Sequence, residues 1–162
     1  MMNNKNDAGN VKLNVISLNV HGVRTFFKRQ KVFSWLTKKN ADVILLQETY
    51  STNEIKKKWS QEWKPWKCIF SNGTYHSKGV AILIRNTLNY DINNCVSDPN
   101  GRFIIMDVTV DGEEFLIVNV YAPCASKPKE QVEFWNQLSF HISNMDNVFM
   151  HTINQPTRSS PP

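Results

Sequence analysis

Four polar side chains stand where apolar runs of the chain stop. Asn19 lies near the end of Val11–Val20, Glu48 ends Asp42–Glu48, and Asn119 and Tyr121 end the run that Pro123 terminates. Glu48 is the one carboxylate among them. A hard cation such as Mg²⁺ takes oxygen ligands, commonly one or two protein carboxylates with water and substrate phosphate. Glu48 with the amide oxygen of Asn19 would form part of such a shell. Tyr121 could hydrogen-bond a phosphate oxygen, and Asn119 could hold a neighbour in place. Each also has a plainer reading. An Asn at a strand end is commonly a turn residue, a Glu there can emerge into solvent, and a Tyr is often a core aromatic with a wet hydroxyl. His21, beside Asn19, reads as a loop residue before a proton carrier. Spacing alone leaves these alternatives open.

The elements that must position these residues follow from periodicity. Glu113–Pro123 is apolar on both faces at a period of two, the pattern of a strand covered above and below. Val11–Val20 and Asp42–Glu48 read the same way. Between them, Thr25–Lys39 is predicted helical, with Phe26, Val32, Phe33, Trp35 and Leu36 as its apolar side and Asn40 as its stop. Ser51 and Glu54 suggest a capping box for a short helix through Glu62. Trp59 and Trp63 read as core, and Lys56–Lys58 as its solvated side. Trp66–Phe70, Gly79–Arg85, the weaker Tyr90–Val96, and Phe103–Val110 with Glu114–Val120 complete the strands. Asp111-Gly112 is the strongest hairpin signal. A last helix is predicted from Pro128 to Met145, capped by Ser126, with the stripe Val132, Trp135, Leu138, Ile142 and Met145. Asn147–Met150 begins what should be a further strand. Residues 1–10 read as a disordered lead-in, 11–150 as one domain and 151–162 as a disordered tail. Alternating strands and helices followed by hairpins indicate the α/β class, with helices covering sheets.

Bulk properties limit the function classes. The 162 residues are 41% hydrophobic, enough for one cored domain, and carry a formal charge of 19 − 14 = +5. That excess favours an anionic partner such as nucleic acid or phosphate. The basic candidates for such a contact are Lys28 and Arg29 on the first helix and Lys78 in the loop before Gly79. Cys68, Cys95 and Cys124 form no CxxC pair and the histidines are scattered, which argues against a zinc site or disulfide framework. No run has the length and apolarity of a membrane span. The start lacks a signal-peptide core, so an intracellular protein, nuclear or cytoplasmic, is expected, with no membrane partner and no obligate protein partner evident.

Taken in series, the run ends resemble a known set. LNVHG (Leu18–Gly22), LLQET (Leu45–Thr49), GVAILI (Gly79–Ile84) and NVYAP (Asn119–Pro123) occur in order. They resemble the endonuclease/exonuclease/phosphatase superfamily, and most of all the endonuclease domain of LINE-type (non-LTR) retrotransposons. KRQKVFSWL (Lys28–Leu36) is similar to the first helix of that group. The resemblance covers about residues 11–150. It implies a two-sheet sandwich flanked by helices (α/β/β/α) and Mg²⁺-dependent hydrolysis of phosphodiesters in DNA, with Mn²⁺ as a substitute. It also implies Glu48 and Asn19 at the metal and Tyr121 at the scissile phosphate; Asn119 stands beside Tyr121 as the second catalytic candidate.

The chain departs from that pattern in two places. Cys124 stands where NVYAP is commonly followed by Asn. After NVFM, where the family continues into Gly-Asp-Phe-Asn, the chain reads HTINQP, and the later Ser-Asp-His motif is absent. General acid–base help contributes ~10²–10⁴-fold, so losing these groups would be costly. The expectation is a truncated endonuclease of retrotransposon origin, inactive as it stands, with half its sandwich missing and an inner apolar sheet face laid bare. The alternatives are a non-catalytic nucleic-acid-binding remnant, or a phosphatase of the same superfamily acting on a phospholipid or inositol phosphate.

Overall fold

The computed structural model describes residues 11–145. The predicted lead-in, the tail and the run Asn147–Met150 lie outside them. In chain order the elements are β1 (Val15–Asn19), α1 (Phe26–Thr37), β2 (Val43–Gln47), α2 (Lys56–Glu62) and β3 (Trp66–Ser71). They continue with β4 (Val80–Arg85), β5 (Tyr90–Ser97), β6 (Phe103–Val110), β7 (Glu113–Val120) and α3 (Pro128–Ser143).

Two sheets form, ordered β1-β2-β4-β3 and β5-β6-β7. β1 and β2 are parallel and the other pairs antiparallel. Parallel pairing needs a crossover, and α1 supplies it, so β1 and β2 finish at the same end with Asn19 opposite Gln47. The two-residue turn Asp111-Gly112 joins β6 to β7, both residues taking positive φ (48° and 88°) as an inward-twisting hairpin requires.

Period-two alternation sorts the strand residues into layers. Val43, Leu45, Ile82 and Ile84 of the first sheet meet Ile104, Met106, Val108 and Ile117 of the second. The other face of the first sheet packs Ile44, Leu46 and Leu83 under Leu36, Trp59 and Trp63 of the α1–α2 region. The other face of the second packs Phe103, Ile105 and Leu116 under Phe134, Leu138 and Met145 at α3. This is the α/β/β/α layering that the motifs implied. The inner sheet faces cover each other, so the exposed apolar face expected from a missing half is not found among the described residues.

Several local expectations are corrected. Residues 11–14 are not in a strand; Asn14 instead brackets Asp42, its N–H on the Asp42 carboxylate at 2.9 Å and its carbonyl taking the Asp42 N–H. The Ser51–Glu54 capping box is absent. Ser51 is buried and accepts the Thr49 hydroxyl at 3.0 Å, and Glu54 accepts the Tyr75 hydroxyl at 2.6 Å. Ser126 does not cap α3; its hydroxyl donates to Cys124 Sγ. On α3, Leu138, Ile142 and Met145 pack over the sheet as predicted, but Val132 and Trp135 face solvent and Phe134 takes their place. Phe26 is likewise exposed, while Leu36 is the fully buried residue of α1. β5 is a full eight-residue strand whose register shifts between Ile92 and Asn94.

Candidate functional site

The site forms where β1, β2 and β7 end together. Beyond β1 and β2 the ladder continues through the loops. Val20, Gly22 and Val23 give their N–H groups to the carbonyls of Gln47, Glu48 and Thr49. Thr49 and Tyr50 give theirs to Gly79 and Lys78. The backbone bends sharply at each step. His21, Glu48, Tyr50 and Lys78 all have positive φ, between 46° and 63°, a region that costs a side-chain-bearing residue free energy. Four such residues in one corner show a backbone held by its surroundings to aim particular side chains.

Glu48 is the centre. Asn19 Nδ2 donates to its Oε1 at 3.0 Å. His21 Nδ1 lies 3.0 Å from Oε2, and the Tyr50 hydroxyl donates to Oε2 at 3.2 Å. The Asn19 side-chain Oδ1 accepts the His21 backbone N–H at 3.1 Å, which fixes the amide's orientation and points its NH₂ at the carboxylate. Burial by itself would raise the Glu48 pKa. Hydrogen bonds from Asn19 and Tyr121, the electrostatic pull of the His21 ring and the Tyr50 hydroxyl outweigh it and hold the carboxyl below its ordinary value. Glu48 is therefore a carboxylate at neutral pH. Tyr121 and Tyr50 move the other way: burial first, then the bond to Glu48 and its charge, raise both above an ordinary phenol. Both remain hydrogen-bond donors. Arg102 lies over the Tyr121 ring, 5.4 Å from its centroid, and donates to the Tyr121 carbonyl.

Asn119 holds its neighbours in place, as one reading of it allowed, and is not the catalytic group it was paired with Tyr121 to be. It is 1% exposed and its amide is fully used, donating to the carbonyls of Leu46 (3.0 Å) and Ala81 (2.9 Å) and accepting from Gln47 Nε2 (2.7 Å). It rivets β7 to β2 and β4 across the sandwich, two residues from Tyr121 on the same face. Asn119 is thus a positioning residue, with no free group to offer a substrate.

The basic residues divide. Lys28 is exposed and donates to the His21 carbonyl at 2.7 Å, which ties the head of α1 to the site's rim. Lys78 faces a polar cleft of about 160 Å³ shared with Asp98, Arg102 and Glu130. Arg29 is corrected. It is 3% exposed, paired through Nε and Nη2 with both oxygens of Glu62 at 2.7 and 2.9 Å, and donates to the carbonyls of Val23 and Arg24. It holds α1 to α2 and presents nothing to a nucleic acid.

Sequence reasoning left Tyr50 and Arg102 unremarked and took His21 for a loop residue. Tyr50 was open to detection, since it stands two residues after Glu48. His21 and Arg102 reach the site by chain reversals that no periodicity records.

No group of three or more His, Cys, Asp or Glu gathers among the described residues as a metal centre would. A seat with one carboxylate still suits Mg²⁺, which binds through as few as one carboxylate while keeping water and substrate phosphate as its other ligands. The ionised state of Glu48 fits that cation better than a soft one, although the Asn19 amide turns its nitrogen to the carboxylate and its oxygen to the His21 N–H.

An uncharacterized 149 kDa protein of transposon TX1 from Xenopus laevis is 30% identical over 135 residues, which is 83% of this chain and 10% of that protein. The AP endonuclease LMAP of Leishmania major superposes with a TM-score of 0.66 at 16% identity, over 83% of this chain and 49% of its own. TDP2 of D. rerio, complexed with single strand DNA product, superposes at 0.63 and 17% identity, over 82% and 55%. The chain thus spans about half of these solved relatives and a tenth of the transposon protein. No helix among the described residues is long and apolar enough to cross a membrane. The model of the Endonuclease/Exonuclease/phosphatase family matches residues 16–159, nearly the whole chain, and the chain belongs to that family.

Proposed function

We propose that the chain carries the metal-and-phosphate end of a Mg²⁺-dependent DNA endonuclease of retrotransposon origin, and that alone it binds far better than it cuts. The observation that carries this is the single ionised carboxylate, Glu48, held by Asn19 beside the protonated phenol of Tyr121. Glu48 would hold the metal, and Asn19 and Tyr50 would orient it. A bound Mg²⁺ would supply charge neutralisation at a phosphoryl group. Tyr121, kept protonated, is placed to donate to a phosphate oxygen. Arg102 steadies its ring, and Asn119 fixes the strand that presents it.

Hydrolysis also needs a group to take the proton of the attacking water. Among the described residues His21 is the only imidazole at the site, and its Nδ1 is engaged with Glu48. Without a further base, a loss of ~10²–10⁴-fold relative to a complete site is expected. The similarity to the transposon protein and to an AP endonuclease supports DNA as the substrate. So does the run from His21 to Lys39, which holds six Lys and Arg and no Asp or Glu.

The test is nicking of supercoiled plasmid in Mg²⁺ beside Glu48→Ala, with isothermal titration of Mg²⁺ into both proteins. Measurable Mg²⁺ binding that Glu48→Ala removes, with little or no nicking, is the expected result. Nicking at the rate of a complete endonuclease would overturn the claim of weak cutting, and equal Mg²⁺ binding by both proteins would overturn the metal seat.

A further inference from the structure

At the head of α1, Phe26 and Phe27 are 53% and 79% exposed, among the most exposed large apolar side chains described. Their rings meet edge to face, centroids 5.9 Å apart at 71°, so they present π-faces in two directions. Burial would favour such rings strongly, and an exposed pair asks for an occupant. The neighbourhood is cationic. Arg24 stacks over Tyr75 at 3.7 Å, Lys28 is tied to the His21 carbonyl, and the first turn of α1 holds no acid. A groove of about 230 Å³ runs between the end of β1 and α1, from Asn19 and His21 past Lys28 and Lys31 to Trp35. Phe27 lies one turn before Lys31, a residue of that groove, on the same helix face.

We infer that the Phe26–Phe27 pair is a base-stacking platform that receives unpaired bases of a DNA strand whose phosphate lies at Glu48, favouring single-stranded or locally opened DNA over continuous duplex. This rests on the phosphodiester reading of the Glu48 end. Aromatic faces stack any base, while lysines on the same helix face follow the backbone, the pairing that single-strand binders use. Bases stacked inside an intact duplex cannot reach the rings, which sets the preference. The charge complementarity of this helix face selects a nucleic acid over an apolar protein segment.

The experiment measures fluorescence anisotropy of a labelled single-stranded oligonucleotide and of its duplex, without Mg²⁺, over a range of salt. The full chain is compared with Phe27→Ala, Phe27→Trp and Lys28→Ala. Phe27 is exposed enough that its truncation should leave the melting temperature unchanged, which is checked directly. Expected are tighter single-strand than duplex binding, a loss of about tenfold in single-strand affinity for Phe27→Ala, and recovery in Phe27→Trp. The salt slope should stay constant in the Phe variants and fall by about one in Lys28→Ala. Equal single-strand affinity for wild type and Phe27→Ala would overturn the platform alone. Absence of binding by the wild type would overturn the phosphodiester reading with it. Loss of binding to phosphatidylserine vesicles in Phe27→Ala, with oligonucleotide affinity unchanged, would show a membrane-facing pair and overturn the inference.

Discussion

The ring of Tyr50 occupies the space that a β-carbon on Gly22 would need, and Gly22 sits at φ +75° to leave it free. The glycine is thus what allows a phenol from beyond β2 to lie against the loop beyond β1 and reach Glu48. Gly112 has a similar φ, +88°, with nothing within 4 Å of the corresponding position. Gly22→Ala combines backbone strain with a clash against a held ring, whereas Gly112→Ala carries backbone strain only. Gly112→Ala should cost about 1 kcal/mol and Gly22→Ala about 2–4 kcal/mol. Urea melts of the two variants check this, and equal midpoints would show that Tyr50 moves aside freely.

Asn119 predicts a second cost. Removing its amide by Asn119→Ala strands the Leu46 and Ala81 carbonyls and the Gln47 side chain in a buried seam. Unsatisfied buried groups cost about 1–3 kcal/mol each, moderated here by any water that enters. A loss of about 3 kcal/mol in a chemical melt is expected. Because Asn119 reaches Glu48 only through neighbouring backbone, Mg²⁺ titration of the folded fraction should change little. A large loss of Mg²⁺ affinity with unchanged stability would contradict its positioning role.

The strands and their faces were legible because burial on both sides writes a period of two into the residues themselves. Phe103–Val110 and the Asp111-Gly112 turn stand where the sequence puts them. The carboxylate and amide tips were legible for a related reason, since a polar group ending an apolar run interrupts a pattern. Asn119 was legible as a residue that could hold a neighbour, but not as one with no group free for a substrate, because an amide buried between sheets and one facing a ligand leave the same trace in sequence. Arg29 was misjudged because its partner, Glu62, lies on another helix 33 residues away. The stripe of α3 held at Leu138, Ile142 and Met145 and missed at its start, because Phe134 and Trp135 are neighbours of similar apolarity and the sheet decides which one it buries.

Arg29 and Lys28 should separate cleanly in experiment although they are adjacent. Arg29→Ala leaves Glu62 without its partner in a site where Arg29 is 3% and Glu62 13% exposed. Breaking a buried pair of this kind costs about 3–5 kcal/mol. Its thermal midpoint should fall by many degrees while the salt dependence of oligonucleotide binding by the folded protein stays as in wild type. Lys28→Ala should do the reverse, leaving the melt within about 0.5 kcal/mol and reducing the salt slope by about one. A salt slope altered by Arg29→Ala would place its guanidinium on the nucleic acid after all.

The depressed pKa of Glu48 makes a last claim about acid. Its folded value lies below the ordinary 4.5 because hydrogen bonds from Asn19, Tyr121 and Tyr50 and the electrostatic pull of the His21 ring overcome the effect of burial. A carboxyl that binds its proton less readily when folded contributes stability that is fully present above the unfolded value and is lost as pH falls through the folded one. Glu48→Gln removes that titration while keeping a group of similar shape. The wild type should therefore be stabilised relative to Glu48→Gln at neutral pH, and the gap between them should close as the solution is taken below about pH 4.5. Urea melts of both proteins at a series of pH values measure the gap. A gap that widens toward acid would mean that the carboxyl is held neutral in the fold, and a neutral acid there could not seat a cation.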